Sequence, residues 1–128
     1  MNTSEVFAAA ADLLTPPGAW IQMELAEDGH GDSVEPNNPA AVCWCAMGAI
    51  AKVTRKLGGQ ANDGAMAMLG RRLLEKGLIT TYEDEDEDGN EVYIKRSDDE
   101  TVPEWNDTIG RTQAEVVAML RDLSLEAA

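Results

Sequence analysis

The most informative feature of the hydrophobic pattern is a run without charge, Asn38-Pro-Ala-Ala-Val-Cys-Trp-Cys-Ala-Met-Gly-Ala-Ile-Ala-Lys-Val-Thr54, in which no residue between Pro39 and Lys52 is charged. Asn38 suits a helix cap and Pro39 a first helical position, so the pattern predicts a central helix over 39–56, wrapped by amphipathic neighbours. Small residues at Ala46, Gly48, Ala49 and Ala51 would let other backbones approach it closely. Before it, Thr3 or Ser4 can cap a helix over 4–14 whose apolar face is Val6, Phe7, Ala10, Leu13 and Leu14. Thr15-Pro16-Pro17-Gly18 stops that helix, and Ala19–Leu25 alternates like a short strand or an extended packing segment. Ala26–Asn38 is polar enough to be a surface loop.

After the central run, Leu57-Gly58-Gly59-Gln60 predicts a break, and Asn62 or Asp63 a cap for a helix over 63–76. Its apolar positions are Ala65, Met66, Leu69, Leu73 and Leu74. Met66 and Met68 are expected to be core filler, and Arg71 and Arg72 a solvated face. Gly77 followed by Leu78 predicts a left-handed cap, with Leu78 folding back on Leu73. Ile79–Glu83 and Glu91–Lys95 are strand-like and flank the turn signal Asp88-Gly89-Asn90, which predicts a hairpin over about 79–95. Arg96–Pro103 is expected to be a polar loop. Thr112-Gln113-Ala114-Glu115 opens the last helix, 112–125, with a capping box, and Val116, Met119, Leu120 and Leu123 form its stripe. The expected architecture is α+β and predominantly helical, about four helices around a central apolar helix with one β-hairpin.

The length, 128 residues, suits a single domain spanning 1–128. No apolar run approaches a membrane span and Met1–Thr15 lacks a signal-peptide pattern, so a cytoplasmic protein without membrane attachment is expected. On a helix, Cys43 and Cys45 would point to nearly opposite sides, so they are expected to be unpaired, buried thiols. With His30 they are too few for a four-ligand zinc site, and His30 itself is expected to be solvated.

The net charge of −14 is unevenly spread: residues 1–51 carry −7, 52–76 carry +4, 83–107 carry −10 and 108–128 carry −1. That distribution argues against direct nucleic-acid or membrane binding and makes a basic protein surface the natural partner. The partner-binding residues are expected to be Glu83, Asp84, Glu85, Asp86, Glu87 and Asp88 with Asp98 and Asp99. Asp84-x-Asp86-x-Asp88-Gly89 matches the opening half of a calcium loop, but its twelfth position is Lys95 and its eighth Glu91, so no metal ligand is assigned. The same carboxylates, joined by Glu100, Glu104 and Asp107, could imitate DNA phosphates. However, same-face charges on one strand lie about 6.6 Å apart, against one charge per roughly 1.7 Å of duplex axis. A nucleic-acid-mimicking inhibitor of phage type is therefore the alternative reading.

No Ser-His-Asp or Cys-His arrangement, dinucleotide fingerprint or phosphate loop is present, so no catalytic residue and no cofactor is assigned. Trp105, Asn106 and Asp107 could line a small pocket. They equally suit a structural anchor and helix cap, and an enzyme would have to work with carboxylates alone.

Cys45-Ala46-Met47-Gly48-Ala49-Ile50, Trp105-Asn106-Asp107 and Thr112-x-x-Glu115-Val116 together resemble a family of small uncharacterised proteins of actinobacteria and their phages. The likeness covers the central helix and the C-terminal third, and leaves out the acidic hairpin. It implies a bacterial or phage cytosolic setting and no particular activity.

Overall fold

The computed structural model describes residues 1–55, 63–79, 82–85, 87–94 and 97–128, without the side chains of 63, 82–85 and 91–94. The expected break at 57–60, the Asn62 cap, Asp86 and Lys95 lie outside them. Five helices and two small antiparallel ribbons make up the described fold.

Helix α1, Thr3–Leu14, buries Val6, Phe7, Ala10, Ala11 and Leu14. Its cap is Asn2 rather than Thr3 or Ser4: the Asn2 side chain accepts from the Glu5 amide at 2.8 Å, and Glu5 reaches back to the Asn2 amide. Helix α5, Gln113–Ala127, begins with the expected reciprocal box between Thr112 and Glu115 and buries Val116, Met119, Leu120 and Leu123. The two helices pack antiparallel. Ser4 Oγ donates to the Ser124 carbonyl at 2.7 Å and Ser124 Oγ to the Ser4 carbonyl at 2.9 Å. At the opposite end Gln113 Nε2 donates to the Leu14 carbonyl at 2.6 Å. Each fully buried Leu or Val at this seam contributes about 1.5–3 kcal/mol of transfer free energy.

The central run divides into a strand and a helix. Asn38-Pro39 opens a turn, in which Asn38 Oδ1 accepts from the Ala40 amide at 2.8 Å and the Asn38 carbonyl from the Ala41 amide at 2.9 Å. The chain then extends as β2, Ala41–Trp44, antiparallel to β1, Ala26–Asp28, with a bulge between Glu27 and Asp28. Helix α2 begins only at Ala46 and runs to Thr54. The expected helix over 39–56 is thus corrected at its start, because its first residues spend their backbone groups on a ribbon. The loop expected over 26–38 is corrected too, since it supplies β1. Trp20 bridges in parallel to Trp44, and the Ile21 amide donates to the Trp44 carbonyl at 3.0 Å, so Ala19–Leu25 is an extended segment beside this ribbon.

The run is still the hub. Cys43, Trp44, Cys45, Ala46, Ala49, Ile50 and Ala51 are buried, although Val42 turns out to solvent. Gly48 explains how closely α2 approaches its neighbour, because a Cβ there would stand 1.9 Å from the Leu25 carbonyl oxygen.

Helix α3, Asp63–Glu75, ends as expected. Gly77 takes φ +66°, its amide donates to the Leu74 carbonyl at 3.0 Å, and the Leu78 amide donates to the Leu73 carbonyl at 2.9 Å, which together make a Schellman cap. The hairpin pairs β3, Tyr82–Glu85, with β4, Glu91–Ile94, in the register Tyr82 to Ile94 and Glu85 to Glu91.

Helix α4, Asp98–Asn106, lies where a polar loop was expected. Ser97 precedes it, Asp98, Asp99 and Glu100 occupy its first turn where negative charge favours the helix dipole, and Thr101, Val102, Trp105 and Asn106 form its buried face. Pro103 hides this helix from propensity reasoning. It packs on α3, α2 also contacts it, and no described helix is long and apolar enough to cross a membrane.

Candidate functional site

The acidic residues singled out from sequence fall on two elements. Glu83, Asp84 and Glu85 are in β3, and Glu87 and Asp88 are exposed at the turn, where Gly89 takes φ +80°. Asp98, Asp99 and Glu100 open α4 and Glu104 follows on its exposed side. The two strands of this ribbon pair with each other along Tyr82–Glu85 and Glu91–Ile94. Because β4 ends at Ile94 and α4 starts at Asp98, four residue steps of chain keep the ribbon's base within about 14 Å of the first residue of α4. Asp98 is half-buried, whereas Glu87, Asp88, Asp99, Glu100 and Glu104 are exposed. The Asp98 carboxylate sits against α3, where a Cβ on Gly70 would lie 1.9 Å from Oδ1.

Trp105, Asn106 and Asp107 form the joint between the C-terminal half and the 19–25 segment. Asn106 is fully buried, and its side chain is committed in four directions. Oδ1 accepts from the Trp20 indole N–H at 2.7 Å and from the Ala46 amide, at the start of α2, at 2.9 Å. Nδ2 donates to the Ile21 carbonyl at 3.1 Å and to Asp107 Oδ1 at 3.0 Å. Gln22 adds donations to the carbonyls of Asn106 and Thr108, at 3.0 and 3.1 Å. A buried amide so fully satisfied specifies one arrangement of three chain segments. Trp105 is buried as a core anchor, with the Arg111 guanidinium 5.1 Å from its ring centroid.

Asp107 is half-buried, and its Oδ1 also accepts from the Met23 amide at 2.8 Å. That bond holds Met23 at φ +76°, a left-handed conformation that costs a residue with a Cβ roughly 1–2 kcal/mol. Beside it lies a cavity of about 160 Å³ whose lining includes Met23, Glu24, Cys45, Met47, Pro103 and Asp107.

Cys45 is the N-cap of α2. Its Sγ accepts from the Gly48 amide at 3.3 Å, taking the place an Asn or Ser oxygen usually fills. Burial pushes its thiol pKa up to about 11, against the lowering effect of the Gly48 amide and with the Asp107 charge adding to the rise. Burial also raises the Cys43 thiol, and the Glu27 and Asp28 charges add to the rise. Both cysteines are free and neither is on a helix, which corrects the opposite-faces geometry expected for them. No group of three or more His, Cys, Asp and Glu side chains among the described residues is arranged to hold a metal ion.

Sequence reasoning named Asp107 but missed Met23, Cys45 and Met47 as its cavity partners. Cysteine is not an expected cap, and nothing in Gln22-Met23-Glu24 announces a positive φ. The one available signal was the pair of cysteines directly before a run of small residues.

Five short helices with two separate antiparallel ribbons, stitched by a buried asparagine, define a small α+β protein. A model for a family of unknown function, DUF6197, matches residues 1–124, and the chain belongs to that family. No curated protein and no solved structure matches it.

Proposed function

We propose that the protein is a non-enzymatic binding protein whose acidic ribbon and α4 N-terminus, residues 83–107, engage a basic surface on a partner protein. The observation that carries this reading is the local density of charge: ten net negative charges fall in these 25 residues, borne by a two-stranded ribbon and by the first turn of the helix that follows it. With a screening length near 8 Å at physiological salt, carboxylates clustered this closely act together on an approaching cationic surface. The two free buried thiols and the likeness carried by the Cys45–Ile50, Trp105–Asp107 and Thr112–Val116 motifs favour the cytosol of a bacterium or of a phage-infected cell as the setting.

The test is affinity capture from cells of the natural host at low and high salt. It uses the wild-type chain and a variant carrying Glu83→Gln, Asp84→Asn, Glu85→Gln, Glu87→Gln and Asp88→Asn. A basic protein held by the wild type at low salt and lost with the variant supports the reading. Capture that is indifferent to both changes contradicts it. If the captured protein is one that binds DNA and DNA displaces the acidic chain, the partner is bound by nucleic-acid mimicry.

A further inference from the structure

We propose that the groove between α1 and the end of α2 binds a small amphipathic anion, an oxyanion head carried on a hydrocarbon body. The groove has a volume of about 830 Å³, and its lining includes Ala9, Asp12 and Leu13 from one side and Lys52, Val53 and Arg55 from the other. That volume suits an organic molecule rather than a lone ion.

Helical spacing gathers each side. Ala9, Asp12 and Leu13 stand three and four positions apart on α1 and so share one face. Lys52 and Arg55 are three apart where α2 ends, and the Arg55 amide donates to the Lys52 carbonyl at 3.2 Å, which keeps the two within one turn. Arg55 takes φ +59°, a left-handed position that glycine or asparagine fills at less cost. The cap there is made by the Arg55 amide and not by its guanidinium, so the cap does not explain the arginine.

Charge marks the same place. Residues 1–51 contain no Lys or Arg, and the first two basic residues of this acidic chain both line the groove. Among the described residues no carboxylate pairs with Lys52 or Arg55, whereas Asp12 is held by Arg121 at 2.8 Å. The carbonyl end of α2 presents about half a negative charge, which two full positive charges outweigh. A guanidinium fork and an ammonium can donate to one carboxylate or phosphate, while the half-buried Leu13 and Val53 offer apolar contact to the body that carries it. This site is opposite in sign to the acidic ribbon and does not depend on the partner proposed for it.

The experiment titrates the full-length chain with octanoate and with octyl phosphate, followed by calorimetry and amide NMR. Acetate supplies a head without the tail, and 1-octanol the tail without charge. One equivalent of at least one octyl anion is expected to bind and to shift the amides of residues 9–13 and 52–55, with acetate and 1-octanol at least tenfold weaker. Lys52→Gln combined with Arg55→Asn should weaken binding at least tenfold, and because asparagine suits the left-handed position the melting temperature should not fall. Arg71→Gln combined with Lys76→Gln removes the same charge elsewhere and should leave binding unchanged. Octanol binding as tightly as the anions, equal losses in the two double variants, or amide shifts confined to other segments would overturn the proposal. Sedimentation of the ligand-free chain tests the other occupant: a dimer lost on Lys52→Gln with Arg55→Asn would seat a second copy's acidic residues in the groove and would also overturn it.

Discussion

Gly48 lies so close to Leu25 that a methyl group on its Cα would overlap the Leu25 carbonyl oxygen, at 1.9 Å. The neighbouring Cys45 amide donates to that same oxygen at 3.2 Å, so α2 is docked onto the 19–25 segment through backbone. Neither partner atom is a flexible side-chain end that could yield. Gly48→Ala is therefore expected to destabilise the fold by about 1–3 kcal/mol, the usual cost of overpacking. Urea unfolding of the variant measures it, and a change below about 0.5 kcal/mol would show that the approach is looser.

Asn106 should be among the least replaceable residues. Asn106→Ala leaves the Trp20 indole N–H, the Ala46 amide and the Ile21 carbonyl without their bonds, and each buried orphan costs about 1–3 kcal/mol, so a loss of at least about 3 kcal/mol is expected. Trp20→Phe deletes one donor and leaves Oδ1 its bond to Ala46, and should cost less than half as much. Equal losses in the two variants would remove the asparagine from the centre of the joint.

The cap of α5 gives a pH dependence. The Thr112 amide and hydroxyl, and then Arg111, hold the Glu115 carboxyl below its usual range. Its folded-state pKa is below the unfolded one, so its contribution is present above the unfolded value and is lost as pH falls through the folded value. Glu115→Gln should flatten the decline of stability in that acid window and change little at neutral pH beyond removing the charge. Parallel melting curves of the two chains across the acid range are the check.

These expectations also mark what the sequence made legible. Thr112-Gln-Ala-Glu115 and Gly77-Leu78 carry their caps within a few residues, and local hydrogen bonding fixed those helix ends as the pattern implied. The acidic hairpin was legible for the same reason, since Asp88-Gly89-Asn90 dictates a turn. Ala41–Trp44 was not, because an unbroken apolar run suits a buried strand as well as a helix, and only its pairing with β1 decides between them. Helix α4 was hidden by its acids and Pro103, and is held by the burial of Val102 and Trp105 against elements far away in the chain. The cavity of Met23, Cys45 and Met47 depends on the Met23–Asp107 bond, across 84 positions, which no local pattern records.

The ribbon's carboxylate charges should be dispensable for folding. Exposed turn carboxylates such as Glu87 and Asp88 add little to stability, so the five-residue neutralised chain is expected to unfold within about 0.5 kcal/mol of wild type. A larger loss would mean the carboxylates serve the fold instead.

The central claim is that these charges bind a basic partner. Its most direct test is titration calorimetry of the captured partner with the wild-type and neutralised chains over a tenfold range of salt. The claim predicts a wild-type Kd that rises steeply with salt, and for the neutralised chain a Kd at least tenfold weaker at low salt with a shallower dependence. Matching affinities and matching salt dependences for the two chains would contradict it.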